Sequence, residues 1–285
     1  MEKPSQNSAL VAGGNVRGIK NAFLVICVCF VIAVCLFLFF FGAPSHFEFE
    51  GEFSGASMWF ADETLKYHPI DLVGTIFKGG VIVPVLQTLF LTVIVLSVER
   101  AIALSSAKGK GNITKFVKDV KACLVKGDIA AAQELCKKQQ GSVAAVVSAA
   151  LVRYKEMEEN TVLSKEQKIA NLQKEVEEAT AMEMPSLQQN LPIVATLTTL
   201  GTLVGLLGTV IGMIKSFQAL SASGAPDSTE LSTGISEALV NTAFGIATGA
   251  FAVISYSYYT NKIDHLTYAI DEIGYSIVQT FAANH

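Results

Sequence analysis

Four runs of this chain are apolar and uncharged, or nearly so, over the thickness of a lipid bilayer, and this restricts it to a helical membrane fold. Amides and carbonyls left unpaired in hydrocarbon are costly, so a long apolar segment there pairs them internally as a helix. Phe23 to Phe41 gives 19 residues without a charge, a proline or a glycine, close to the roughly 20 needed to cross about 30 Å. Gly79 to Val98 is a second uncharged run, carrying Pro84 and Gln87 and closing with Glu99-Arg100. Leu187 to Ile214 supplies 28 uncharged residues, and Leu231 to Asn261 forms a fourth run whose one charge is Glu237. The expected fold is all-α, with four transmembrane helices, two of them extended into a cytoplasmic helical body. The first run also invites reading as a cleaved signal peptide, since Arg17 and Lys20 precede it. Such segments have apolar regions of about 7–15 residues ending in small side chains. This run ends Phe39-Phe40-Phe41-Gly42 and reads as a retained anchor.

Orientation follows from lysine and arginine near the span ends, which stay in the cytoplasm. The tail before the first span has Lys3, Arg17 and Lys20, and Glu99 to Glu183 holds fourteen Lys plus Arg against twelve Asp plus Glu. Between the first two spans stand Glu48, Glu50, Glu52, Asp62, Glu63 and Asp71 against Lys66, and the loop before the fourth has Asp227 and Glu230 with no basic residue. The four assignments alternate. The predicted order is a cytoplasmic tail over 1–22, a transmembrane helix over 23–42, a periplasmic segment over 43–75 and a second span over 76–98. A cytoplasmic helical region over 99–190, a hairpin over 191–262 and a cytoplasmic tail over 263–285 follow. Both termini are expected on the cytoplasmic side.

Other classes find little support. Net charge is −4, with no basic excess to neutralise phosphates, so a nucleic-acid partner is not expected. The five cysteines lack zinc-ligand spacing and read as reduced, buried thiols. There is no GxxxxGK[ST] loop and no HExxH, and His46, His68, His265 and His285 are scattered. Neither enzyme chemistry, a metal nor a cofactor is expected. In the cytoplasmic region, apolar residues at helical intervals predict helices over Ile113–Val125 and Ile129–Lys138, the second capped after Gly127-Asp128. The alternating charges of Lys165 to Glu183 predict one long helix running on into the third span, its charges a solvated face.

The last two spans carry chemistry that the first two lack. Gly201, Gly205, Gly208 and Gly212 make two GxxxG spacings, which let helix backbones approach closely. Thr196, Thr198, Thr199, Thr202 and Thr209 add hydroxyls, which are inert if each bonds the carbonyl four residues earlier. Glu237 weighs more. With a helix start near Ser228, after Asp227, it lies about 14 Å into the fourth helix. A charge at that depth costs at least about 2.5–3.5 kcal/mol, so it faces a bundle interior or water and marks a functional site by default. A structural carboxylate bonded to a neighbouring helix is the alternative. In an antiparallel hairpin whose third helix ends near Leu220, Glu237 is expected level with Thr209 or its neighbour. Asn241 and Thr248 continue its face, with Thr242 beside them, so Thr202, Asn241 and Thr248 are candidate pore-lining residues. No Lys or Arg of the hairpin is expected at its level. Gly245 and Gly249 allow close packing alongside.

The stretch Gly205-Leu206-Leu207-Gly208-Thr209-Val210-Ile211-Gly212, with Glu237 in Gly234-Ile235-Ser236-Glu237-Ala238-Leu239-Val240-Asn241-Thr242-Ala243-Phe244-Gly245 28 residues beyond Thr209, resembles the ExbB/TolQ/MotA proton-channel family, and ExbB most of all. The likeness runs from about Lys108 to the C-terminus. It implies a homo-oligomeric ring, a pentamer in ExbB, around single-span helices of an ExbD-like partner whose intramembrane aspartate handles protons. It further implies a proton-motive-force-driven motor that works through a TonB-like protein, with Thr209, Glu237 and Thr242 along the proton route. The sequence departs from many relatives, which have Ala-Pro at Gly201-Thr202, an aromatic residue at Ile211 and Ala at Asn241. The first span is extra beside three-helix ExbB and TolQ, whereas MotA-type stators have four. A ring lined by the third and fourth spans is expected, the first two lying outside. Proton against sodium, and TonB against Tol, gliding, secretion or flagellar machines, stay open. A secondary transporter or a structural scaffold are the competing classes, the former lacking the expected internal repeat.

Overall fold

The computed structural model describes residues 18–19, 21–49, 55–61, 67–222 and 228–284. The predicted roles of Arg17, Lys20, Glu50, Asp62, Lys66 and Asp227 lie outside them. The chain is all-α, and among the described residues four helices are long and apolar enough to cross a membrane. α1 (Ala22–Cys35) continues as a π-helix over Leu36–Phe41. Strands β1 (Phe47–Phe49) and β2 (Tyr67–Pro69) then pair antiparallel, Glu48 opposite His68. α2 (Leu72–Lys78) starts at an Asp71 cap, and α3 spans Ile82–Lys108. α4 (Ile113–Val125), α5 (Ile129–Gln139), α6 (Gly141–Glu159) and α7 (Lys165–Gln188) follow, then α8 (Leu191–Ala222) and α9 (Ser228–Asn284).

By internal packing the described residues form two compact units, one of 18–19, 99–191 and 257–284, the other of 21–98 and 192–256. The first is a helical bundle whose caps are local and readable. Asn112 Oδ1 accepts from the amides of Thr114 and Lys115, and Asp128 Oδ1 accepts from Ala131, as expected after Gly127. Ser164 and Gln167 complete a reciprocal capping box on α7. The buried core includes Phe116, Val120, Leu124, Leu151, Leu172, Ile270, Ile273 and Phe281. The charged stripe of α7 is largely the solvated face expected, with Lys174 3.4 Å from Glu178 one turn on.

One reading of this unit is corrected. α7 and α8 are not one helix. The chain breaks at Gln189-Asn190, where Asn190 takes a φ of 62°, a left-handed conformation Asn tolerates, and Pro192 opens the next helix. The second apolar run closes at Glu99-Arg100 and α3 continues beyond it to Lys108, one of the membrane helices that extend past the bilayer span. Arg100 there is fully buried: its Nε donates to Glu99 Oε2 at 2.7 Å, and Nη1 donates to Ser186 O and Leu187 O at 3.4 and 3.3 Å. A residue read as a topology signal thus satisfies the open carbonyls at the end of α7.

Cys136 shows what this core does to a thiol. Buried on α5, it has a pKa pushed up to about 12 because burial disfavours the thiolate. Below that pH it stays protonated, so in the folded protein at pH 8 a maleimide is expected to leave Cys136 unlabelled, and denaturant to expose it. Mass spectrometry before and after unfolding checks this.

In the second unit all four spans share one core, with Val25 and Cys29 of α1, Val93 and Leu96 of α3, Val194 and Leu197 of α8, and Ala252 of α9. An aromatic cap closes one end. Phe37 stacks on Phe77 at 4.9 Å between centroids, and Trp59, Phe47 and Tyr67 pack edge-on around them. The outward faces stay apolar, with Phe23 and Leu24 of α1, Leu206 and Val210 of α8, and Leu239 and Ile254 of α9 exposed, as lipid or another helix requires.

Candidate functional site in the α8–α9 hairpin

Glycine makes the hairpin close. A Cβ placed on Gly205 would lie 2.9 Å from Gly245 Cα, and one on Gly245 2.7 Å from Gly205 Cα, so the two backbones touch. One turn toward the loop, Gly208 receives Asn241, whose Cβ would be 2.5 Å from an added methyl. Next, Gly212 meets Gly234 O at 2.8 Å and Ala238 N at 2.9 Å on the same test. In the other direction Gly201 faces Thr248, and Gly249 faces Thr202. Backbone against backbone leaves little room to slide, so these contacts fix the register.

That register differs from the expected one by about a turn. α8 runs to Ala222, so Thr209 is level with Ala238 and Thr242, not with Glu237. The hydroxyls of Thr209 and Thr242 are hydrogen-bonded to each other, and Thr209 also donates to Gly205 O at 3.3 Å. Both residues are half-buried. Four further threonines behave as the inert reading anticipates: Thr196, Thr198, Thr202 and Thr248 each donate to the carbonyl four residues earlier.

Glu237 is buried and looks away from the glycine seam, toward the turn between α2 and α3. A Cβ on Gly80, whose φ is 73°, would stand 2.7 Å from Glu237 Oε1. One turn along α9, Asn241 is fully buried and its amide donates to Gly79 O at 3.1 Å. The expectation that no cation lies near Glu237 is overturned, because Lys215 Nζ donates to its Oε1 at 2.7 Å. The carboxylate side chain is 7% exposed and the lysine side chain 53%. Sequence reasoning missed both neighbours. Lys215 ends the 28-residue uncharged run, and Gly79-Gly80 opens the second. Either signal points here only once the register is known.

Of the candidate residues, the hairpin unites Thr209 with Thr242, sets Asn241 against Gly208 and Gly79, and packs Thr202 and Thr248 along the seam, with Glu237 on the adjoining face. At the loop end a cavity of about 460 Å³ is lined by His68, Thr75 and Lys78 together with Ser232, Thr233 and Ser236, the last adjoining Glu237 in sequence. Among the described residues no three of His, Cys, Asp and Glu converge on a metal position. The chemistry offered is that of one buried carboxylate with a half-exposed lysine as counter-ion, in a hairpin that also pairs two hydroxyls.

Residues 137–272, just under half of the chain, match the model of the MotA/TolQ/ExbB proton channel family. A relative in Synechocystis sp., a biopolymer transport protein named ExbB-like 3, is 36% identical over 93 residues. That match covers 30% of this chain and 44% of the relative, so the chain spans under half the length of the curated relative it matches.

Proposed function

We infer that the chain belongs to the MotA/TolQ/ExbB proton channel family, whose model matches its residues 137–272, and that it is the ring-forming subunit of a proton-motive-force-driven machine in a bacterial inner membrane. The observation that carries this reading is Glu237, a carboxylate buried in an apolar hairpin of the membrane unit, within the family match. Such a group is costly in hydrocarbon and is retained where it handles charge. In this reading the chain is a channel subunit without enzymatic activity. Both termini are cytoplasmic, and copies form a homo-oligomer, a pentamer on the ExbB pattern. An ExbD-like single-span partner brings an aspartate to complete the path, and a TonB-like protein carries the work to transporters. Thr209, Glu237 and Thr242 line the proton route, with Thr202, Asn241 and Thr248 beside it. The four spans favour one alternative, a MotA-type stator of another machine.

The test is to co-express the chain with a short single-span protein bearing an early intramembrane aspartate. Co-purification, and partner-dependent proton uptake in vesicles followed with a pH dye, support the reading. A chain that conducts nothing with any such partner overturns it. In the same assay Thr209→Val and Thr242→Val are each expected to lower flux by roughly two- to ten-fold, the worth of one hydrogen bond. Because the two hydroxyls are bonded to each other, the double variant is expected to lose little more than either single one. Additive losses would show that the hydroxyls act independently.

A further inference from the structure

Two groups crowd the oxygen Oε1 of Glu237, and they differ in freedom. One is backbone, the Gly79-Gly80 turn, held on its carbonyl side by the amide of Asn241 at 3.1 Å. The other is the ammonium of Lys215 at 2.7 Å, on a four-carbon stem whose side chain is 53% exposed. A lysine head on such a stem can swing away to water while its base stays packed. The carboxylate, 7% exposed, has no such exit. The ion pair therefore has one fixed member and one mobile member.

Building on the proton-channel reading, we propose that Lys215 is a gating counter-ion: in the resting subunit its ammonium occupies the Glu237 carboxylate, and proton passage requires that it leave. While Lys215 is seated, an incoming proton competes with a cation already hydrogen-bonded to the same oxygen. Once Lys215 withdraws, Oε1 of Glu237 is free to accept an incoming proton while the carboxylate itself stays buried. The displaced species is then exchanged for a proton, with Lys215 keeping unpartnered subunits tight.

The experiment reconstitutes the full chain without a partner into vesicles, imposes a membrane potential and reads proton uptake with a pH dye. K215M, which keeps stem length and removes the charge, is expected to leak at about five-fold the wild-type rate or more, the low end of coupling between two sites. K215R, which keeps the charge, restores tightness. The K215M/E237Q pair returns to the wild-type rate, because the leak runs through Glu237. Should K215M not assemble, K215Q serves the same purpose. A K215M or K215Q leak equal to wild type overturns the proposal, and so does a leak that survives E237Q. The channel reading fails separately, if E237Q leaves the flux of the partnered complex unchanged.

Discussion

Glu237→Gln is expected to leave the protein inserted and assembled while cutting its energised output by about two orders of magnitude or more, the lower scale of a positioned proton-transfer group. Glutamine has the same shape, and its amide oxygen still accepts from Lys215, so the close fit against Gly80 is kept. Lys215 is half-exposed and tolerates loss of its anion by turning to water. What disappears is the one titratable carboxylate of the hairpin interior. Glu237→Asp keeps titration but retracts the carboxyl from Lys215 and Gly80, and is expected to retain part of the output. Cargo transport or motor output in cells at matched expression, with oligomer and partner co-purification as the assembly control, makes the comparison. Output near wild type from Glu237→Gln would assign this carboxylate a structural role.

Gly205→Leu is expected to act at the opposite end of the scale, on the fold itself. Any Cβ at this position meets Gly245 Cα at 2.9 Å and Asn241 O at 3.0 Å, both backbone atoms of α9 that cannot rotate away. The helices must separate, and the Thr209–Thr242 bond depends on their closeness. Overpacking of this kind costs about 1–3 kcal/mol or more. Folded oligomer recovered in detergent should fall sharply and its melting temperature should drop, with Gly205→Ala intermediate. Leu206→Ala, next to Gly205 but on the exposed face of α8, provides the comparison and should melt as wild type. An unchanged melting temperature for Gly205→Leu would mean that the hairpin is not held by this seam.

Much of the architecture could be read from the residues because the physics involved is local. Length and hydropathy mark a bilayer span without reference to any neighbour, and all four runs are helical. The Asp128 cap needs its own amides three residues on, and Gly205 and Gly208 announce close approach by spacing alone. Even the inert bonding of most threonines follows from the four-residue step of the helix. Thr209 and Glu237 were identifiable as candidates for the same reason, one by motif and the other by the cost of its depth.

Which groups meet was decided by the tertiary structure. A helix two residues longer than expected, ending at Ala222, with glycines seated against Gly234, Asn241 and Gly245, moves Thr209 from Glu237 to Thr242. The same register brings Lys215 to Glu237, although 22 residues separate them. The Gly79-Gly80 turn reaches the carboxylate from a different span altogether, and Arg100 closes the end of α7 across 86 and 87 residues of chain. Hydropathy and helical period are sums over neighbours in sequence, whereas register between helices is set by how side chains of distant segments interdigitate. A shift of one turn leaves every local signal unchanged and exchanges the partner of a buried charge.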